Sequence, residues 1–140
     1  MCIQGDSVTI YAWQQSQWQQ LWQAHLAGRL SHALLLAGFA GTGKTLFADS
    51  FANALLCTAV STDGVVCGKC HACHMIAGNA HPNKITIAPE KAGTAIKVDQ
   101  IREISEFTQQ TGLIGDRRVV IIRQANNMNT SAANALLKTL

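Results

Sequence analysis

The sequence predicts an α/β fold, and three observations carry that prediction. Short apolar or β-branched runs at residues 33–37, 85–87 and 119–122 alternate with segments whose apolar residues recur at helical spacing. The first and last runs are apolar throughout, as in strands buried on both faces of a parallel sheet. A Gly-rich loop joins the first run to the helix pattern behind it.

Taken in chain order, Trp18, Leu21, Trp22, Leu26 and Leu30 fall at helical spacing within a Gln-rich stretch. They predict an amphipathic helix from about Gln15 to Ala27, ended by Gly28. Its Trp face reads as core packing rather than a binding surface. Ala33-Leu34-Leu35-Leu36-Ala37, closed by Gly38, predicts a buried strand. From Thr45 a helix follows, with Phe47, Phe51 and Leu55 at i, i+4 and i+8. Ile85-Thr86-Ile87 predicts a second strand, stopped by Pro89. Asp99 is the expected N-cap of a helix carrying Ile101, Ile104 and Phe107. Gly112 to Arg117 reads as a turn, and Val119-Val120-Ile121-Ile122 as a buried strand. Thr130 or Ser131 is the expected cap of a last helix, Ala132 to Leu140. The chain stops inside that helix pattern without a capping signal, so a fragment, incomplete at the C-terminus, is expected.

Composition narrows the function classes. The 140 residues are 48% hydrophobic and 14% charged, enough to bury one modest core and too apolar for wholesale disorder. No run approaches the roughly 20 apolar residues of a membrane span. MCIQGDSVTIYAW has neither a basic nor an apolar leader region, so no secretory signal is visible and a cytoplasmic protein is expected. The net charge of +3 comes from scattered residues apart from Arg117 and Arg118, a pattern of solvated surface rather than of a nucleic-acid footprint.

Gly38-Phe39-Ala40-Gly41-Thr42-Gly43-Lys44-Thr45 satisfies G-x-x-x-x-G-K-[ST] in full. Glycines let the backbone wrap a phosphate with its N–H groups inward, and the helix starting near Gly43 adds its positive end. Lys44 would reach the β- and γ-phosphates, and the Thr45 hydroxyl would ligate Mg²⁺. Hydrolysis needs more: an Asp at the end of a neighbouring strand to orient the metal, commonly with an adjacent Glu to activate water. After Ile122 come Arg123-Gln124-Ala125-Asn126-Asn127, and no Asp or Glu follows Asp116. Glu90, beyond Pro89, is a weak substitute. A positioned base contributes roughly 10²–10⁴ in rate. The loop is therefore expected either to hold ATP with Mg²⁺ without turning it over or to be vestigial.

Five cysteines occur: Cys2, Cys57, Cys67, Cys70 and Cys73. Without a secretion signal, clustered thiols are metal ligands more often than disulfides. The last four can close a tetrahedron around a structural Zn²⁺, with His71 and His74 left outside and Cys2 a free thiol. A redox pair and an iron–sulfur cluster are the alternatives.

Together these elements resemble the clamp-loader subunits of bacterial DNA polymerase III, within the AAA+ P-loop group. The resemblance is carried by His32 to Leu36 running into the phosphate loop, by the four spaced cysteines, by Lys97-Val98-Asp99-Gln100-Ile101-Arg102, and by Ala132-Ala133-Asn134-Ala135-Leu136-Leu137-Lys138-Thr139-Leu140. It implies that residues 1–140 form a partial AAA+ nucleotide-binding domain, a parallel sheet flanked by helices. A zinc module at about 57–75 is inserted in it, and the lid and collar domains are absent. The family's motor subunits carry an Asp-Glu pair where Arg123 and Gln124 stand, so the resemblance is to the non-motor, delta-prime branch. It implies partnership with the gamma/tau motor subunits and delta, and action on the sliding clamp and primed DNA through the assembled ring. An arginine donated to a neighbouring ATP site is also implied, from a motif beyond residue 140. An active motor ATPase of the same ring is the first alternative. A zinc-dependent nucleic-acid-binding module is the second, weakened because only Lys69 and His71 supply basic groups beside the cysteines.

Overall fold

The computed structural model describes residues 10–110, 115 and 117–140. The expected turn at 112–117 falls mostly outside the described residues, as does Cys2. The chain forms two units, Met1–His81 and Pro82–Leu140.

In the first unit a 3₁₀ turn, Ala12–Gln14, leads into α1, Gln15–Leu26; α2 is Lys44–Leu56 and α3 is His71–Ala77. Helix α1 ends as its sequence predicts, with Gly28 at φ +68° behind the Ala27 cap. The helical spacing of the aromatics builds the core. Trp18 and Trp22 of α1 meet Phe47 and Phe51 of α2. Trp18 stands edge-on to Phe51 and Phe47 at 5.3 and 5.7 Å, while the two Phe rings stack at 6.2 Å. Such pairs add about 0.5–1.5 kcal/mol each beyond the area they bury. Both indoles keep a polar edge, and both edges are satisfied. Trp18 Nε1 donates to Asp63 O (3.1 Å) and Trp22 Nε1 to Thr62 O (2.8 Å), which holds the loop leading to Cys67 against the aromatic face.

The run Ala33–Ala37 does not form the predicted strand. It is irregular, and Leu35 is 84% exposed. A strand exists through a hydrogen-bonded neighbour, and the first unit offers none among its described residues. Apolar continuity alone cannot supply that neighbour.

The second unit holds a two-stranded parallel sheet: β1, Lys84–Ile87, pairs with β2, Val119–Ile122, in the register Lys84↔Val119 to Ile87↔Ile122. Between them in sequence lies α4, Val98–Gln109, and after them α5, Thr130–Thr139. Ile87, Ile96, Ile101, Ile104 and Ala132 form its buried core. Ser105 and Thr139 bridge α4 and α5 through their hydroxyls at 2.8 Å. The mixed helix–strand architecture with a parallel sheet is therefore present.

Two caps differ from expectation. Helix α4 starts after Lys97, whose N–H donates to Gln100 Oε1 (3.0 Å). Asp99 lies inside the first turn, where its charge suits the helix dipole, and it pairs with Arg102. The Gln100 amide three residues past Lys97 takes the capping role that Asp99 was given. Helix α5 is capped by Asn129, whose side chain accepts from Ala132 N–H at 2.8 Å, not by Thr130 or Ser131. Asn is as good an N-cap as Ser and better than Thr, so the earliest of three competent residues takes the position.

Gly64 makes the Trp-to-loop contact possible. Its φ is +84°, and an added Cβ would lie 2.8 Å from Trp22 Cδ2. Gly64→Ala is expected to destabilise the chain by about 2–4 kcal/mol, combining backbone strain with overpacking. Gly28→Ala, at φ +68° with open space around it, should cost about 1 kcal/mol. Urea unfolding of both variants checks this, and equal losses would contradict the ring contact.

Candidate metal centre and phosphate loop

Helix α2 has a predicted site at each end. At its C-terminus, Cys57 occupies the cap position, its N–H bonded to Asn53 O at 2.9 Å. The loop pinned by Trp18 and Trp22 then delivers Cys67. Cys70 caps α3, its sulfur accepting from Cys73 N–H, and Cys73 sits in the first turn of α3. The four sulfurs lie within 4.8 Å of one another, and none is in a disulfide.

Their spacing tests the fit to a metal. Four thiolates at about 2.3 Å from one ion define a tetrahedron with edges of about 3.8 Å. The Sγ–Sγ distances are 3.6 Å for Cys57–Cys67 and Cys57–Cys73, and 3.9 Å for Cys57–Cys70 and Cys67–Cys73. Backbone donors converge on the same sulfurs. Cys67 Sγ accepts from the N–H groups of Lys69 (3.5 Å) and Cys70 (3.3 Å), and Cys57 Sγ from that of Cys67 (3.4 Å). These donors favour the ionised sulfur, the form that binds metals. The N–H groups of Lys69 and Cys70 hold the Cys67 thiol below its ordinary range. A hydrogen bond from the Thr58 hydroxyl, with help from Cys73 N–H, lowers Cys70 to about 5. Burial raises Cys57, and burial together with the neighbouring sulfurs pushes Cys73 up to about 12. Two thiols are thus shifted toward the ionised form and two away from it, and a bound cation would favour the thiolate at all four. The structure brings all four predicted ligands together and can hold a metal ion there. His71 and His74 are not part of this cluster. Thr58 was missed by sequence reasoning, because a hydroxyl next to a cysteine carries no motif.

At the N-terminus of α2, Gly38 to Thr45 form an irregular loop running into the helix. Gly41 and Gly43 have φ of +80° and +82°. The Lys44 ammonium donates to Gly38 O (2.7 Å) and Phe39 O (2.6 Å), which fixes its nitrogen beside the loop. A third, longer contact runs to Thr42 Oγ1 at 3.5 Å, so all three donors of the ammonium are turned onto the loop itself. Thr42 Oγ1 donates to Phe39 O at 2.9 Å and tightens the turn. Thr45 is exposed in the first turn of α2, and Phe39 and Ala40 are exposed in the loop. The preceding 3₁₀ turn grips this loop from outside: Gln14 Nε2 and Trp13 Nε1 both donate to Thr42 O, at 3.0 and 3.3 Å. Sequence reasoning missed Trp13 and Gln14 because they lie 28 or more residues from their target.

In the second unit, the position after β2 is Arg123, whose N–H continues the ladder to Ile87 O at 2.8 Å. Gln124 follows in a left-handed conformation, φ 52°, and then a 3₁₀ turn, Ala125–Asn127. Glu90 is engaged by Lys97 at 3.2 Å on the surface.

Residues 13–140 match the family described as DNA polymerase III, delta subunit. The chain belongs to that family. Its relatives include the DNA polymerase III subunit delta' of Pseudomonas aeruginosa, 44% identical over 133 residues, which are 94% of this chain and 39% of the relative. The subunit delta' of Escherichia coli is 34% identical over 130 residues, 93% of this chain and 39% of the relative. A DNA polymerase III subunit tau/gamma of Haemophilus influenzae is 35% identical over 112 residues, 80% of this chain and 16% of the relative. The chain thus spans 39% of the length of these two delta' relatives. Among the described residues, no helix is long and apolar enough to cross a membrane.

Elemental analysis of the purified chain should find one divalent ion per molecule. Cys70→Ser or Cys73→Ser should lose it, while His71→Ala and His74→Ala keep it. Full stoichiometry in Cys70→Ser would rule out the four-sulfur centre.

Proposed function

We propose that this chain is the nucleotide-binding part of a non-motor clamp-loader subunit of the delta-prime type, which helps place the sliding clamp on primed DNA during replication. In this reading residues 1–140 belong to an AAA+ domain with a zinc module at about 57–75. The lid and collar belong to the remainder of a full-length subunit. Its partners are the gamma/tau motor subunits and delta, with clamp and DNA engaged through the assembled cytoplasmic complex. Family membership and the delta' relatives support the assignment.

The metal in this reading is Zn²⁺. Four thiolates close its coordination sphere, so it holds α2, the loop and α3 together and performs no chemistry. ATP is the ligand assigned to residues 38–45. Backbone N–H groups take the phosphates, Lys44 the β- and γ-phosphates, and the Thr45 hydroxyl the Mg²⁺.

The observation that carries the non-motor reading is the segment after β2. Arg123 and Gln124 stand where the motor subunits are expected to carry Asp and Glu, and no carboxylate follows in the sequence. Without a metal-orienting Asp and a water-activating Glu, the loop can hold nucleotide but gains little for its hydrolysis.

The complete G-x-x-x-x-G-K-T motif and the tau/gamma relatives favour a second reading, an active motor ATPase. Turnover separates the two. The non-motor reading expects ATP hydrolysis at least 10²-fold below that of a motor subunit, unchanged by Lys44→Ala. Steady turnover that Lys44→Ala abolishes would establish the motor instead.

A further inference from the structure

The strap formed by Tyr11 to Gln14 does more than cover the loop. Its hydrogen bonds converge on one peptide unit, Thr42–Gly43. Gln14 Nε2 and Trp13 Nε1 both donate to Thr42 O. Gln14 is buried, 8% exposed, and its other amide atom is also fixed: Oε1 accepts from Tyr11 N–H at 3.1 Å. The Gln14 backbone N–H closes the same turn by donating to Tyr11 O at 2.9 Å. The amide group therefore has a single orientation in which it donates to the loop.

Gly43 is shaped to this strap. An added Cβ there would lie 2.4 Å from Tyr11 Cδ2 and 3.1 Å from Gln14 Nε2. The strap thus lies directly against the peptide it bonds.

A trans peptide is planar, with its C=O and N–H pointing in opposite directions. The described residues contain no cis peptide. With Thr42 O turned toward Gln14 and Trp13, the Gly43 N–H is turned away from the strap. Gly43 is also the N-cap of α2, so its N–H belongs to the set that a helix leaves without an intrahelical acceptor. Such groups take anions.

We propose that Gln14, seconded by Trp13, is a positioning residue for anion binding: by holding the Thr42 carbonyl it fixes the Gly43 N–H in the orientation that receives a phosphate. The inference rests on the reading of residues 38–45 as a phosphate loop. It adds a device outside the motif that sets the motif's geometry. Without the strap, the Thr42–Gly43 peptide can rotate, and that rotation would exchange a donor for an acceptor at the anion.

The test uses the full chain and inorganic tripolyphosphate with Mg²⁺, followed by titration and by the ¹H–¹⁵N signal of Gly43. Gln14→Glu keeps the length and the acceptor for Tyr11 N–H but removes the donor to Thr42. It is expected to weaken tripolyphosphate binding about tenfold, the effect of one lost orienting hydrogen bond. It should also abolish the ligand-induced shift of the Gly43 amide. Trp13→Phe removes only the indole donor, from a residue 57% exposed, and should weaken binding about threefold. It serves as the test if Gln14→Glu does not fold. Wild-type affinity and a wild-type Gly43 shift in both variants would overturn the proposal while leaving the loop reading intact. Lys44→Ala separates that reading. If the wild-type chain and Lys44→Ala fail alike to bind tripolyphosphate, the loop is no anion site, and the positioning role falls with it.

Discussion

The packing of α1 on α2 through Trp18, Trp22, Phe47 and Phe51 is the interaction on which the first unit depends. Helix α2 carries the loop at residues 38–45 at one end and Cys57 at the other, so whatever fixes that helix fixes both segments. The seam uses rings that bury large areas with few rotamers to freeze. Its two indole N–H groups spend their bonds on Thr62 and Asp63, which extends the constraint from the helices to the loop carrying Cys67. The aromatic core thus helps position the loop that brings Cys67 to the other three sulfurs.

The cysteine cluster shows why a core alone does not finish the job. Four sulfurs within 4.8 Å would repel one another if all were ionised. The protein lowers Cys67 and Cys70 with N–H and hydroxyl donors and leaves Cys57 and Cys73 raised by burial. A divalent cation removes that conflict, and its binding free energy becomes stability of the folded state. The loop at residues 38–45 is likewise organised by its neighbours. Lys44 is held by two loop carbonyls, and Thr42 O is held by two donors of the strap, so the charge and dipoles are oriented by the loop's own surroundings. The segment after β2 carries Arg123 and Gln124, the residues on which the non-motor proposal rests.

Much of this was legible in the sequence wherever one element's residues decide the outcome. The spacing of Trp18 and Trp22 and of Phe47 and Phe51 gave both helices and their buried faces. The β-branched run 119–122 gave β2, and the cysteine spacing gave the four-sulfur cluster that could hold a metal ion. The sequence was less legible where a distant neighbour decides. Leu34 and Leu35 read as a strand, yet a strand needs a hydrogen-bonded partner that the run itself does not encode. Gln14 read as one glutamine in a Gln-rich stretch, because its role depends on a carbonyl 28 residues away. The capping errors at Asp99 and Thr130 are of a milder kind. At residues 129–131 three competent caps stand in a row and Asn129 takes the position, whereas at α4 the Gln100 amide bonded to Lys97 N–H serves in place of an Asp cap.

The most direct test of the aromatic seam is amide hydrogen exchange in Phe51→Ala. Removing that ring should cost about 3–5 kcal/mol. The account predicts that α2 and the loop at residues 61–67 lose protection together, while α4, α5 and the two strands, which have a core of their own, keep theirs. Retention of full protection at 61–67 with α2 weakened would show that the cysteine loop is held by something other than the aromatic face, and would contradict the account.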